Sequence, residues 1–331
     1  MYDVIVVGAG IAGLTAALYS KRLGLNILVI SRDIGGQAIL APEIQNYPGF
    51  ISINGLELVK KLQEHVMNYD VEIVFDEVIE VREKQRSFTV RTASGAEYRT
   101  LTLILAIGKA PRELNVPGEK EFKGRGVSYC TICDAPLFRG KRVALIGVGE
   151  AGLHGALILS EVVKECYWIF PTPNPGTSDK ERLNYLKSKD NVKFMPNTKV
   201  IKIEGDTRVR AIVVKNLKDN KEETIRVDGI FVEMGYVTKT EFLKGFIELN
   251  EKGEIVIDKL CRTSKEGVFA AGDVTDIPYK QAVISAGQGA TAALSAYNYI
   301  ARIKGLAKVI SDWKHIKVKT KEPKEGFFLR I

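Results

Sequence analysis

Tyr2-Asp-Val-Ile-Val-Val-Gly-Ala-Gly-Ile-Ala-Gly13 decides the fold. Val4–Val7 is a short continuous apolar run, the pattern of a parallel strand buried on both faces. Gly8, Gly10 and Gly13 follow at GxGxxG spacing, with Ala12 before the last. An apolar-rich helix is expected over Leu14–Leu23, ended by Gly24, and a second strand over Asn26–Ile30. Strand, glycine turn, helix and strand make one βαβ unit of dinucleotide-binding length. Gly8 permits the tight turn, Gly10 lets backbone approach a pyrophosphate, and Gly13 lets helix pack on strand. The pyrophosphate then meets the N–H groups and positive dipole end of the helix. A lone GxGxxG is weak evidence. One that follows a strand, opens a helix and stands at residue 8 is specific. A ribose-binding acid usually follows about 20 residues on. Here Ser31, Arg32 and Asp33 follow Ile30, so Asp33 is the candidate, placed late, with a serine or a water as the alternative.

Beyond this unit, Val71 to Arg99 holds two or three alternating strand patterns, broken by turns such as Ser94-Gly95 and expected to run antiparallel. Leu101–Gly108 reads as a further buried strand, and Pro111 and Pro117-Gly118 mark a linker. At Arg142 the opening pattern restarts. Val143–Ile146 is a strand, Gly147-Val-Gly149-Glu-Ala-Gly152 a turn, Leu153–Val163 a helix and Tyr167–Phe170 a strand. Two related nucleotide-binding folds are therefore expected in an α/β chain. After about residue 247, Gly267–Asp273 and a long helix from Lys280 to Ile303 have no glycine-rich start of their own. This segment is expected to rejoin the first domain. The expected domains are 1–112 with 247–331, and a central 113–246.

The second turn lacks the partners of a dinucleotide site. Its second strand ends in Pro171-Thr-Pro-Asn-Pro175, with no acid to read an NADH ribose and no Arg cluster for the NADPH 2′-phosphate. Glu150 adds negative charge where a phosphate would lie. Two readings stand: a nicotinamide site, or a fold that keeps the shape and binds the nucleotide weakly or not at all.

The 331 residues suit about two domains. A hydrophobic content of 45% with 27% charged residues is that of a soluble globular chain, and no run of about 18 apolar residues suggests a membrane span. The N-terminus enters a strand at once, without a basic region or cleavage site, so a cytoplasmic protein is expected. Net charge is +8, with Lys308, Lys314, Lys317, Lys319, Lys321, Lys324 and Arg330 crowding the tail. No aromatic-interleaved basic patch accompanies them, so nucleic acid is not expected. A solvated surface is the first reading and an acidic redox partner the second.

Cys130 and Cys133 stand in Tyr129-Cys-Thr-Ile-Cys-Asp134, just ahead of the second glycine turn. A CxxC can be a zinc half-site or a redox pair. Zinc needs further ligands nearby, while Cys166 and Cys261 are single and distant and only His65, His154 and His315 exist, so no metal is expected. Two intervening residues allow a disulfide in one tight turn, with a depressed thiol pKa and ready exchange. Cys166 and Cys261 read as buried structural thiols.

With these motifs in order, the chain resembles the low-molecular-weight thioredoxin reductases over nearly all of residues 1–303. The likeness rests on Gly8–Gly13, Gly35-Gly-Gln37, Asn46-Tyr-Pro-Gly-Phe50, Gly126–Asp134, Gly147–Gly152, Ala271-Gly-Asp273 and Tyr279-Lys-Gln-Ala-Val283. The resemblance implies FAD held by Gly8, Gly10, Ala12, Gly13, Asp33, Gly36, Gln37, Asn46, Gly108, Gly272, Asp273, Gln281 and Ala282. It implies NADP or NAD at Gly147, Gly149 and Gly152. Cys133 would take electrons from the flavin, Cys130 would attack a thioredoxin-like partner's disulfide, and Asp134 would be the acid–base group. A homodimer is implied too. Three departures stand out. Lys280 replaces the usual Arg. Phe170-Pro171-Thr172 replaces the family's His-Arg-Arg, with Lys180 and Arg182 as candidate substitutes. Residues 307–331 run past the usual end. Relatives without the nicotinamide signature take electrons from ferredoxin or another donor, and that is the rival reading, with an FAD-dependent oxidase or redox sensor of the same architecture as the further alternative.

Overall fold

The computed structural model describes residues 1–41 and 43–310. The chain forms two compact units: residues 1–110 with the chain from 237 onward, and residues 111–236.

In the first unit the strand Tyr2–Gly10 lies between two parallel partners, Ile27–Gly35 and Glu97–Leu105. Glu72–Phe75 extends the sheet beyond Ile27–Gly35, and Val268–Ala270 pairs with Glu97–Leu105. The central strands hide both faces, as their unbroken apolar runs require. Side-chain alternation sends Val4 and Val6 into one core and Ile5 and Val7 into the other. On the first face lie the helices Ile11–Arg22 and Ala282–Lys304, whose Ala16, Ala17, Ala292 and Ala296 are wholly buried. On the second lie Val81, Phe88 and Val90 from an antiparallel ribbon, Val78–Lys84 and Ser87–Thr92, which runs into the start of Glu97–Leu105. Each buried Val, Ile or Phe side chain among these contributes about 1.5–3 kcal/mol on burial.

The structure corrects two expectations. Glu72–Phe75 is parallel rather than antiparallel. A helix, Gly55–Met67, intervenes and returns the chain in its original direction, as a crossover must. Asn54 starts that helix by accepting the Leu56 N–H at 2.9 Å. The return to the first unit also comes at residue 237 rather than 247. Leu243 and Ile247 sink into the core that holds Ile5 and Leu103, and the Thr238 and Thr240 hydroxyls donate to the Gly253 carbonyl at 2.9 and 2.7 Å.

The second unit repeats the first. Its parallel sheet runs Val192–Met195, Glu165–Ile169, Arg142–Gly147, Gly229–Glu233 and Val127–Ser128. One face packs Leu145, Trp168 and Phe231 against Leu153, Ala156 and Leu159 of the helix Gly149–Val162. The other packs Ala144, Ile146 and Ile230 against a three-stranded antiparallel sheet carrying Ile203, Ile212 and Val214. Among the described residues no helix is long and apolar enough to cross a membrane. The basic and apolar tail from 311 to 331, singled out in the sequence, lies outside the described residues.

Candidate functional site: two glycine turns and a cysteine pair

The first turn separates what the fold demands from what a ligand would use. A Cβ on Gly8 would sit 2.3 Å from the Ala106 carbonyl oxygen, and one on Gly13 would sit 1.9 Å from that of Gly8. Packing alone makes these two glycines. A Cβ on Gly10 would find its nearest protein atom, the Gly35 oxygen, at 4.0 Å. That open space belongs to a cleft of about 720 Å³ within the first unit. Gly8, Gly10 and Ala12 of the turn line it, with Asp33 from the end of the next strand and Gly36 and Gln37 from the short helical turn Gly36–Leu40 after it. Asn46, Gly108, Gly272, Asp273, Gln281 and Ala282 complete the group foreseen from sequence, and Gly13 lies beneath, outside the lining. The glycine turn thus presents backbone and small side chains to the cleft, as a dinucleotide needs, while larger polar and charged side chains such as Gln37, Lys109 and Lys280 complete the lining.

Polar contacts fix these walls. The Ala9 N–H donates to the Ser31 hydroxyl at 3.0 Å, which pins the turn to the second strand. The Asn46 amide donates to the Gln281 side-chain oxygen at 3.0 Å, so two residues 235 apart in sequence meet. The Ser285 hydroxyl donates to Asp273 at 3.2 Å. Sequence reasoning missed a charge knot at this cleft. Lys109 and Lys280, both lining it, meet one oxygen of Glu254 at 2.9 and 3.1 Å, while Asn250 donates to the other at 2.9 Å. Burial alone would push the Glu254 carboxyl up, but the bonds from Lys109, Asn250 and Lys280 outweigh it and hold it down at about 2. No motif flagged Glu254, because Lys109 lies 145 residues away in sequence and Lys280 follows only on the far side of a strand.

In the second unit Cys130 and Cys133 form a disulfide at the start of the short helix Thr131–Asp134. Both are partly exposed. The Cys130 N–H donates to the Ser128 hydroxyl at 3.1 Å, and the Cys133 N–H donates to the Cys130 sulfur at 3.2 Å. Glu233 accepts from both the Thr131 N–H, at 3.1 Å, and the Thr131 hydroxyl, at 2.6 Å, and so holds the residue that follows Cys130. Asp134 comes directly after Cys133 and donates its N–H to the Cys130 carbonyl. Cys166 and Cys261 are buried free thiols. Burial pushes both up to about 12, and Asp258 adds to the effect at Cys261.

The second turn copies the lower half of the first. A Cβ on Gly147 would sit 2.4 Å from the Glu233 carbonyl oxygen, and one on Gly152 would sit 2.8 Å from the Gly147 carbonyl carbon. Gly149, at φ +65°, has nothing within 4 Å of a Cβ. Yet its N–H donates to the Pro175 carbonyl at 2.6 Å. One oxygen of Glu150 accepts the Thr177 hydroxyl and the Ser178 N–H and hydroxyl, each at 2.9 Å. Those bonds, the Ser178 N–H foremost, hold the Glu150 carboxyl below its usual range. Of the two cations that could read a 2′-phosphate, Arg182 faces Asp179 at 3.5 Å.

A family model for pyridine nucleotide-disulphide oxidoreductases matches residues 2–293. The chain belongs to that family. Curated relatives include a Bacillus subtilis NADH dehydrogenase, 39% identical over 301 residues, which are 91% of this chain and 59% of the relative. The F component of the Pseudomonas aeruginosa alkyl hydroperoxide reductase is 38% identical over 306 residues, 91% of this chain and 58% of the relative. This pyridine nucleotide-disulphide oxidoreductase thus spans about three fifths of the length of those relatives. Solved structures match over nearly their whole length. The Lactococcus lactis thioredoxin reductase has TM-score 0.73 at 31% identity, covering 91% of this chain and 100% of that one. The T. acidophilum thioredoxin reductase has TM-score 0.70 at 37% identity, covering 91% and 99%. A ferredoxin-flavin thioredoxin reductase of Clostridium acetobutylicum has TM-score 0.52 at 30% identity, covering 92% and 98%. The two-domain α/β architecture of this pyridine nucleotide-disulphide oxidoreductase is that of the thioredoxin reductases.

Proposed function

We propose that the protein is an FAD-dependent disulfide reductase that passes electrons through Cys130 and Cys133 to a thioredoxin-like protein. The observation that carries this reading is the partly exposed Cys130–Cys133 disulfide with the Cys133 N–H aimed at the Cys130 sulfur. Two electrons and two protons convert the disulfide to two thiols. That N–H, at the start of the short helix, stabilises a Cys130 thiolate and favours Cys130 as the attacking sulfur. The thiolate attacks the partner's disulfide, forms a mixed disulfide and releases one partner thiolate. The Cys133 thiolate then attacks the Cys130 sulfur, releases the second partner thiolate and restores the internal disulfide. Glu233 positions the pair through Thr131, and Asp134 stands beside it as the group to hold the proton.

The cleft of the first unit fits FAD, because Gly10 leaves a backbone surface that a Cβ would fill. Gly10 and Gly36 would face the pyrophosphate, Asp273 the ribityl chain, and Gln281 with Ala282 the isoalloxazine. FAD, when bound, supplies the two-electron chemistry. Lys109 and Lys280 put positive charge at the cleft and are themselves held by Glu254.

Cys133→Ser tests the reading. The variant should keep its FAD, lose turnover and accumulate a mixed disulfide between Cys130 and oxidised thioredoxin on non-reducing gels. Reduction of thioredoxin by this variant at the wild-type rate would refute the assignment.

NADPH or NADH is the donor implied by the family. The loop on Gly149 and Glu150 favours a second reading, in which a protein donor such as ferredoxin supplies the electrons. Anaerobic titration of the bound flavin with NADPH, NADH and reduced ferredoxin separates them. Fast, saturable bleaching by micromolar NADPH alone would sink the second reading.

A further inference from the structure

At a dinucleotide turn the free N–H groups of the helix N-terminus receive the pyrophosphate. In the second unit that place is filled by the chain itself. Residues 171–178 run from the end of the strand Glu165–Ile169 back over the turn, and Pro175 is buried there. Its carbonyl takes the Gly149 N–H at 2.6 Å. Glu150 fastens the far side of the loop through three bonds from Thr177 and Ser178. The loop is stiff by composition and by contact. Pro171, Pro173 and Pro175 restrict its backbone, the Thr172 hydroxyl donates to the Asn174 carbonyl at 2.6 Å, and the Gly176 N–H donates to the Asn174 side chain at 3.2 Å. Beyond it Asp179 caps the helix Lys180–Lys187 by accepting the Arg182 N–H at 3.0 Å. The same Asp179 draws in the Arg182 side chain, a cation that could otherwise meet a phosphate.

We propose that residues 171–178 form a latch, fastened by Glu150, that keeps the second glycine turn closed to NADPH and NADH. Glu150 is then a residue that determines donor specificity, by tying the loop down rather than by touching a donor. The proposal rests on the disulfide-reductase reading only in that the excluded nucleotides are the donors that the family implies for that reaction.

The test is calorimetric titration of NADPH and of NADH into the oxidised, FAD-loaded full chain. Four forms are compared: wild type, Glu150→Gln, Glu150→Ala, and the double variant Thr177→Ala with Ser178→Pro, which removes both hydroxyls and the Ser178 N–H. Wild type should show no saturation below about 1 mM. Glu150→Gln keeps an acceptor in place and should behave as wild type. Glu150→Ala and the double variant should each bind at least about tenfold more tightly than wild type. A micromolar wild-type dissociation constant overturns the latch. Equal gains in Glu150→Gln and Glu150→Ala overturn it too, because charge rather than tethering would then be the cause. So does the absence of gain in the double variant with full flavin absorbance, which also covers the case where Glu150→Ala does not fold. Reoxidation of the photoreduced wild-type protein by oxidised thioredoxin reports on the reductase reading separately, whatever the titrations give.

Discussion

The turns Gly8–Gly13 and Gly147–Gly152 share their glycine spacing, their strand before, their helix after and open space where a Cβ on the middle glycine would stand, yet the chain around the middle glycine differs. Over Gly10 lies a cleft walled by residues from distant stretches of chain. At Gly149 the backbone N–H is taken by the Pro175 carbonyl. The outer glycines of both turns answer to packing, since a Cβ at Gly8, Gly13, Gly147 or Gly152 would strike neighbouring backbone. Glycine spacing therefore reports how a helix sits on a strand. On the latch proposal, whether a ligand enters is decided by the loop that follows the next strand.

The strongest way to break this comparison is to attack the shared packing. Gly13→Ala puts a Cβ 1.9 Å from the Gly8 oxygen and should cost about 3 kcal/mol or more, read as a drop in melting temperature or as loss of soluble protein. Gly152→Ala, at 2.8 Å, should cost about 1–3 kcal/mol. If either variant melts with the wild type, the outer glycines are not structural.

The middle glycines should then part company. Gly10→Ala has room within the protein, so the apo protein should melt within about 1 kcal/mol of wild type, while FAD affinity falls at least about tenfold. Gly149→Ala, at φ +65°, should lose about 1–2 kcal/mol to left-handed strain and keep its full flavin content. Equal flavin loss in both would erase the distinction between the turns.

A third effect belongs to the first unit's cleft. The Glu254 carboxyl is held at about 2, below its usual 4.5. A depressed carboxyl adds stability that is fully present above the unfolded value and is lost as pH falls through the folded one. Between pH 4.5 and 2 the wild type should therefore lose stability, and Glu254→Gln should flatten that part of the curve in acid melts followed by circular dichroism. An unchanged slope would mean that the knot is unimportant to folding.

The smallest effect concerns the residue after the apolar run of each second strand. After Ile30 it is Ser31, which accepts the Ala9 N–H; after Ile169 it is Phe170, which is buried. Ser31→Ala should cost about 0.5–1.5 kcal/mol and loosen FAD only a few-fold, measured by chemical denaturation and flavin titration.

What was legible in the sequence was local. Apolar runs at Val4–Val7 and Val143–Ile146 read as buried strands, and the GxGxxG spacing behind each read as a turn packed under a helix. The cysteine pair was legible because two residues between thiols allow them to close in one turn. The direction of Glu72–Phe75 was not, because alternation gives a strand's faces and not its neighbour. The boundary at 237 depended on where Leu243 and Ile247 found a core. Glu254 with Lys109 and Lys280, and Pro175 with Gly149, are meetings of residues that carry no shared pattern. Polar contacts across such separations leave no periodic trace.

The burial of Cys166 and Cys261 has a practical consequence for counting thiols. With both held at about 12 and away from solvent, alkylating reagents at neutral pH meet few thiolates there. Of the four cysteines, the reduced, folded protein should therefore expose only the pair at 130 and 133 to iodoacetamide. The oxidised, folded protein should take up none, and the reduced, unfolded protein should label at every cysteine. Mass spectrometry of the labelled chain thus reads the oxidation state of a single bond, and any adduct captured under native conditions maps to Cys130 or Cys133 without mutating the other two.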